Sequence, residues 1–400
     1  MDVSLKALRR TLLLSLAGLL LLACKGTGSS PSATPSPGAE GVGTPSLTTA
    51  SVGASPTATS LVPTRSVEAP RDDGGFWFTG KPVPGGDTWL SVYNPLESVT
   101  QYDNFQSRLA LFDPETGSLK EVSTAVDVDC IPKIDTDGRF IVWMESQCGS
   151  DTFAGWKMYA LDLQTGERWE VARDSGVAFY PGRRDPSFSV QGGRLAYSLF
   201  TANASGQPVY EMRVVDLESR SSTTVLGPFD AAEASLDETG LDGNTLLWTW
   251  DIWQDDEVIV RGLWKMELPD GKPEVLAVGG IGGYPTISGN RVVYSIAPDL
   301  NQPEKLEVYL LDLNTGDKRK IADSYGDWRV NLAGKFAYWI DQKVPTGFAL
   351  NLDTGKKTSV GTPYVGRIQV SDDRVTWVWR QQLAGGGYAN QIFVEWADLP

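Results

Sequence analysis

Histidine is missing from all 400 residues. Its absence removes the imidazole general base, the Ser-His-Asp and Cys-His nucleophile arrangements and every imidazole metal ligand, so no zinc or haem site is expected. The apolar run Thr11 to Ala23 falls short of the roughly 20 residues that a spanning helix needs. Beyond it, no long amphipathic helical pattern appears. Positive charge is in deficit, with 35 Lys and Arg against 50 Asp and Glu and a formal net charge of −15. That balance argues against nucleic acid or an anionic membrane surface as a partner. Cysteine is limited to Cys24, Cys130 and Cys148.

What the chain does have is one phrase written repeatedly. A turn leads into an apolar run that closes on an aromatic, a second strand follows, and an Asp or Asn opens another turn. The clearest copy runs from Ser288 to Tyr294 and resumes from Val308 to Gly316. The closing aromatic recurs as Trp143, Tyr197, Trp248, Tyr294, Tyr338 and Trp377, with Tyr93 a fainter seventh. The turn residue recurs as Asp113, Asp162, Asp216, Glu267, Asp312, Asn351 and Asp398. Both markers count seven units, with a period of roughly 40 to 55 residues. The sequences Asp162 to Gly166, Asp312 to Gly316 and Asn351 to Gly355 suit tight hairpins, because Asp and Asn bond their own backbone and Gly accepts positive φ. Runs such as Phe140 to Met144 and Val375 to Trp379 are apolar on both faces, as expected of inner strands between neighbouring sheets. The expected fold is therefore all-β: a seven-bladed β-propeller of four-stranded antiparallel blades over residues 73–400, whose blades bury their faces against one another.

Lys6, Arg9 and Arg10 precede the apolar run, and residues 1–23 read as a signal peptide. Leu21-Leu22-Ala23-Cys24 resembles a bacterial lipobox. The resemblance implies that Cys24 becomes the first mature residue and carries acyl chains, each buried methylene worth about 0.8 kcal/mol. An ordinary cleaved signal with an incidental cysteine is the alternative. Residues 24–72 are rich in Ser, Thr, Pro and Gly with few large apolar side chains, which predicts a disordered tether. Its reach is on the order of 40 Å. These features place the chain at a bacterial cell envelope on the extracytoplasmic side, periplasmic or at the cell surface, touching membrane through the lipid alone.

Cys130 and Cys148 fall at opposite ends of a predicted hairpin that turns at Asp135 to Gly138, so a disulfide is expected, with two separate buried thiols as the alternative. Ring closure has two readings. Phe76 to Phe78 pairs with the last blade, which lacks its own fourth strand, or it forms the innermost strand of the first.

Neither a catalytic motif, nor a metal site, nor a cofactor is expected. The remaining enzymatic option is a carboxylate pair of glycosidase type. Asp251, Asp255, Asp256 and Glu257 crowd one predicted loop, where a solvated charged loop is the simpler reading. Propellers take ligands on the face that carries the loops between blades, around the central channel. The candidates there are Tyr180, Arg183, Arg184, Tyr284, Tyr325, Trp328 and Tyr364, an aromatic and Arg composition typical of binding hot spots. Packing within the channel or between blades is the alternative for these aromatics, Trp328 included. Arg183 and Arg184 suit anionic ligands or partner carboxylates.

The phrase Tyr284 to Tyr294 followed by Val308 to Gly316 resembles TolB-like β-propeller repeats over about residues 75 to 400. Such repeats occur in periplasmic scaffold proteins and as non-catalytic domains of peptidases. Ala160 to Trp169 is similar to the tryptophan-docking motif of quinoprotein propellers, but the other copies lack the Trp, and no quinone is expected. The function expected is a lipid-anchored exported propeller, a monomer that binds a protein or glycan and catalyses nothing. The alternative is a carbohydrate-active enzyme using carboxylates at the channel mouth.

Overall fold

A computed structural model of the chain describes residues 59–60, 65–68, 71–72, 75–86, 88–94, 108–124, 129–147, 155–177, 186–231, 234–254, 257–281, 285–299, 302–326, 329–343, 346–360, 365–371, 374–382 and 388–398. The regular elements among them are all β-strands. Each sequence unit becomes an antiparallel meander in which spatial order follows chain order. The first unit is Gly75–Pro82, Trp89–Asn94, Arg108–Asp113 and Ser118–Thr124, and the second is Asp129–Thr136, Phe140–Gln147, Lys157–Asp162 and Arg168–Arg173. The third is Phe188–Gln191, Arg194–Ala202, Pro208–Asp216 and Ser221–Asp230. The fourth is Ala234–Asp242, Thr245–Gln254, Glu257–Glu267 and Glu274–Ile281, and the fifth is Thr286–Ser288, Arg291–Ala297, Lys305–Asp312 and Lys318–Tyr325. Val330–Ala333, Phe336–Asp341, Thr346–Asn351 and Lys357–Val360 make the sixth; Val365–Ser371, Arg374–Gln382 and Tyr388–Asp398 make the last.

The strands form six hydrogen-bonded sheets, so the seven-bladed expectation is corrected to six blades. The fourth and fifth units share one eight-stranded sheet, and the reason is local. Thr286–Ser288 is three residues long and pairs with Arg291 to Val293 alone. The rest of that edge is left open, and Gly280 and Ile281 of the preceding unit pair there with Ala297 and Ile296. The sequence units thus survive as meanders, while the blade count does not follow the repeat count.

The innermost strand of each unit touches that of the next, and Val365–Ser371 returns against Gly75–Pro82, which closes a ring. The runs apolar on both faces prove to be second strands, one in from the channel wall. The larger hydrophobic clusters among the described residues straddle two neighbouring units. Phe140, Val142, Met144 and Met158 of the second unit pack with Leu195, Tyr197, Leu199 and Val215 of the third. Ala196, Phe200, Tyr210 and Met212 of the third pack in turn with Leu236, Leu246, Trp248 and Met266 of the fourth. A small cluster of Tyr93, Ala110 and Leu119 stays within the first unit, but most of the described apolar burial is shared between neighbours. In the sixth unit the repeating aromatic is Trp339, not Tyr338. Trp339 lies opposite Phe348 as Tyr294 lies opposite Tyr309, with ring centroids 5.7 and 5.9 Å apart.

The last sheet obtains its fourth strand from the N-terminal side. Arg65–Glu68 pairs antiparallel with Tyr388–Asp398, Arg65 opposite Trp396 and Glu68 opposite Phe393. Gly75–Pro82, which includes Phe76 to Phe78, is the innermost strand of the first unit, the second of the two expected arrangements. Thr59–Ser60, Arg65–Glu68 and Arg71–Asp72 are strands that lie inside the stretch expected to be tether, so the paired chain begins earlier than composition implied. Cys130 sits in Asp129–Thr136, whereas Cys24 and Cys148 lie outside the described residues.

Candidate functional site

The ring has two unlike ends. One carries the turns between first and second strands and between third and fourth. These turns are short and bond to themselves. Asp113 accepts the Glu115 amide at 2.8 Å and the Thr116 hydroxyl at 2.8 Å, Asp216 accepts the Ser219 amide at 2.7 Å, and Asp312 accepts the Asn314 and Thr315 amides at 2.9 and 3.1 Å. Asn351 does the same for Asp353 and Thr354. The carboxylates are held below their ordinary range by these bonds, led by the Thr116 hydroxyl for Asp113, the Ser219 amide for Asp216 and the Thr315 amide for Asp312. Further groups at this end tie one unit to the next. Asp137 accepts the Gly193 amide at 2.7 Å, Asp242 the Gly289 amide at 2.5 Å, and Arg291 reaches Asp353 at 2.8 Å. Arg139 bridges Asp162 of its own unit and Glu218 of the next.

The opposite end carries the connections between units and between second and third strands. Several are long: 95–107, 148–156 and 174–187. Tyr180, Arg183, Arg184, Tyr284, Trp328 and Tyr364 belong to connections at this end and lie outside the described residues. Tyr325 is described. It ends the outermost strand of the fifth unit, half-buried, with its carbonyl accepting the Gln342 amide at 2.9 Å. Three strand spacings, on the order of 14 Å, separate it from the innermost strand, so strand order puts it toward the outer rim.

Below the loop end lie two buried charged groups that sequence reasoning missed. In the second unit, Glu145, 1 % exposed, accepts the Trp143 indole at 2.8 Å and Arg168 at 3.1 Å. Arg168 also donates to Ser123 of the first unit at 2.7 Å and lies over the rings of Trp143 and Tyr159 at 4.9 and 4.4 Å. In the fourth unit, Arg261 makes a two-pronged pair with Asp251, both contacts 2.5 Å, and reaches Asp237 at 3.9 Å. Asp251 is 0 % exposed and Asp237 4 %. Burial works against the Arg261 charge, yet the bonds to Asp251 and the charges of Asp251, Asp237 and Glu238 more than offset it, and the guanidinium is held above its ordinary range. Asp251 is in a strand, not in the loop expected from the acidic run; Asp255 and Asp256 lie outside the described residues. Alternation gives the only clue: Trp248 and Trp250 take one face of the strand, Thr249 and Asp251 the other. Asp237 and Asp251 come from one sheet and face one guanidinium. They are not a pair facing across a channel from different blades.

No family model matches this sequence, and no curated protein is similar to it in sequence. Solved structures match in shape. An acylaminoacyl peptidase from Pyrococcus horikoshii superposes with a TM-score of 0.55 at 13 % identity over 81 % of this chain and 52 % of that one. The β-propeller domain of the Trilobed protease from Pyrococcus furiosus superposes with a TM-score of 0.54 at 13 % identity, over 81 % of this chain and 98 % of that one. TolB from Acinetobacter baumannii is returned at 14 % identity over 71 % and 78 % of the two chains, with a TM-score of 0.41 that is too low to carry an argument. The chain is a β-propeller. It spans about half the length of the acylaminoacyl peptidase it matches.

Proposed function

We propose that this chain is an exported, lipid-anchored propeller of TolB-like type that binds a protein or glycan partner at its loop end and catalyses nothing. One observation carries the reading: the two ends differ in what they have left to offer. At the turn end the Asx side chains are engaged in their own turns or in neighbouring units, so a ligand there competes with bonds that hold the ring together. At the loop end, the connection 174–187 is tied to neighbouring units at its two described ends, where Ser175 donates to the Phe200 carbonyl at 3.0 Å and Ser187 accepts the Thr239 amide at 2.9 Å, and between them its sequence contains Tyr180, Arg183 and Arg184. Arg183 and Arg184 suit partner carboxylates or other anionic groups. Cys24 and the residues after it supply the anchor and the spacing from the membrane.

The test uses the whole mature chain, probed with a glycan array and an envelope extract. Arg183→Ala/Arg184→Ala is predicted to lose capture, while Arg139→Ala/Glu218→Ala, at the turn end, keeps it. Equal capture by all three proteins, or loss confined to the turn-end variant, contradicts the assignment. Release of reducing sugar by the purified chain would replace the binding reading with the carboxylate hydrolase.

A further inference from the structure

The net charge is negative, but it is not evenly spread. The turns between third and fourth strands in the first four units, 113–121, 162–170, 216–224 and 267–275, carry four cations against eleven anions, whereas 312–320 and 351–359 in the fifth and sixth carry five against three. One corner of the turn end is therefore basic. Its cations gather around two backbone residues. Arg319 donates to the Leu352 carbonyl at 3.3 Å, the Lys335 carbonyl accepts the Leu352 amide at 2.8 Å, and the Lys356 carbonyl accepts the Asn351 amide at 2.9 Å. Lys318 lies over the Tyr294 and Tyr309 rings at 5.4 and 4.4 Å, and Lys357 over Trp339 and Phe348 at 5.1 and 4.0 Å. Arg291 pairs with Asp353, and Lys320 with Glu307 and Asp323; among the described residues, Lys318, Arg319, Lys335, Lys356 and Lys357 are in no ion pair. Lys318, Arg319, Lys335 and Lys356 are exposed. Burial holds the Lys318 and Lys357 ammonium groups below their ordinary range, a cost that a nearby anion offsets.

The same corner receives the N-terminal side of the chain. Thr59 and Ser60 pair in parallel with Thr358 and Ser359 on the outer strand of the sixth unit. That strand starts at the turn end with Lys357, so Thr59 stands at the turn end beside the basic residues, with Cys24 upstream of it in sequence.

We propose that this basic corner of the fifth and sixth units seats on an anionic phospholipid surface, a second attachment beside the acyl group on Cys24. The inference rests on the anchored reading and goes beyond it. A polybasic patch adds to lipid attachment, and each Lys or Arg near the surface gains from its negative potential. A tether with a reach on the order of 40 Å keeps the corner close to the headgroups. The acyl group holds the chain at the membrane; the corner decides which side faces it. Seating by the turn end points the loop end away from the bilayer. This departs from the expectation that the lipid alone touches membrane, because net charge describes the whole surface and a bilayer meets one side of it.

The experiment uses the mature chain with Cys24→Ser, which takes no acyl group and so reads the corner by itself. Sedimentation with phosphatidylcholine vesicles is compared with sedimentation with vesicles of equal parts phosphatidylcholine and phosphatidylglycerol. The expected result is binding to the anionic vesicles alone, weakened by salt. Lys335→Gln/Lys356→Gln should weaken it at least about 10-fold, and Lys318→Gln/Lys357→Gln, a second pair, should do the same. Lys120→Gln/Lys343→Gln removes equal charge from exposed lysines in the first unit and at the loop end, and should leave binding unchanged. Binding that is absent, equal on both vesicles, or weakened alike by all three variants overturns the proposal. Lysine-dependent capture of soluble polyphosphate without vesicle binding also overturns it. The anchor is read separately, from the mass of Cys24 in chain isolated from cells, where an unmodified cysteine would overturn the anchored reading whatever the vesicles show.

Discussion

Arg261 pairs with Asp251 and reaches Asp237, and both carboxylates are sealed from solvent. Removing a partner from a buried pair leaves an uncompensated charge, a loss of about 3 to 5 kcal/mol, whereas exchanging the whole pair for apolar residues is often neutral. Arg261→Leu is therefore predicted to lower the urea unfolding free energy by about that amount, and a loss below about 1 kcal/mol would show that the cluster is not the buried charge group described here. Arg220 offers a second test. It is the only described non-glycine residue with positive φ, at 58°, in a turn where the equivalent copies have Gly117, Gly166, Gly316 and Gly355. Its guanidinium meets Glu167 at 2.5 Å and the Trp169 ring at 4.5 Å, both in the neighbouring unit. Arg220→Ala keeps the strained backbone and loses those contacts; Arg220→Gly loses the contacts but relieves the strain. Thermal unfolding should rank glycine above alanine by about 0.5 to 1 kcal/mol. The reverse order would mean that the φ strain is absent. Trp169, whose surroundings resemble a quinoprotein docking motif in sequence, serves here as the landing surface for Arg220.

At the scale of elements, the turns and second strands were legible in sequence and the pairings at the edges were not. Asp-x-x-Thr-Gly dictates its own hairpin because side chain and backbone satisfy each other within five residues, and a doubly apolar run dictates burial on both faces. Sheet count is different. It turns on how much of one edge a three-residue strand covers, Thr286–Ser288, and on whether Gly280 and Ile281 reach the remainder, which no local pattern encodes. The fourth strand of the last sheet escaped for the same reason: Arg65 to Glu68 carry a single apolar side chain, Val67, and pair with a strand more than three hundred residues away. The candidate site was legible as loop composition alone, since side chains on long connections have no periodicity to fix where they point. The turns also set the acid response. Asp113, Asp162, Asp216 and Asp312 all have carboxyls below the free value of 3.8. Their stabilisation is complete above that value and is lost as pH falls through the lower folded values, because the unfolded chain then binds more protons. The thermal midpoint should hold from pH 7 to 5 and fall steeply below about 4. Asp216→Asn should make that fall shallower, and an identical acid profile for the variant would refute the turn assignment. Packing between units gives the counterpart: Trp248, fully buried between the third and fourth units, should cost about 3 to 5 kcal/mol on replacement by Ala.

The described residues form a ring whose larger hydrophobic clusters are shared between two neighbours. Closure matters because an open ring would expose a full face of the first and last units. The struts at the turn end, Asp137 to Gly193 and Asp242 to Gly289 among them, fix successive units in register, while the closing junction relies on inner-strand contact and on the N-terminal strand. The most direct test of the closed ring is a comparison of two chains, residues 56–400 and 71–400, by urea unfolding and limited proteolysis. The account predicts that losing residues 56–70 lowers the unfolding midpoint and brings early cleavage within Tyr388–Asp398, the other units remaining protected. Indistinguishable midpoints and cleavage patterns for the two chains would contradict closure by the N-terminal strand.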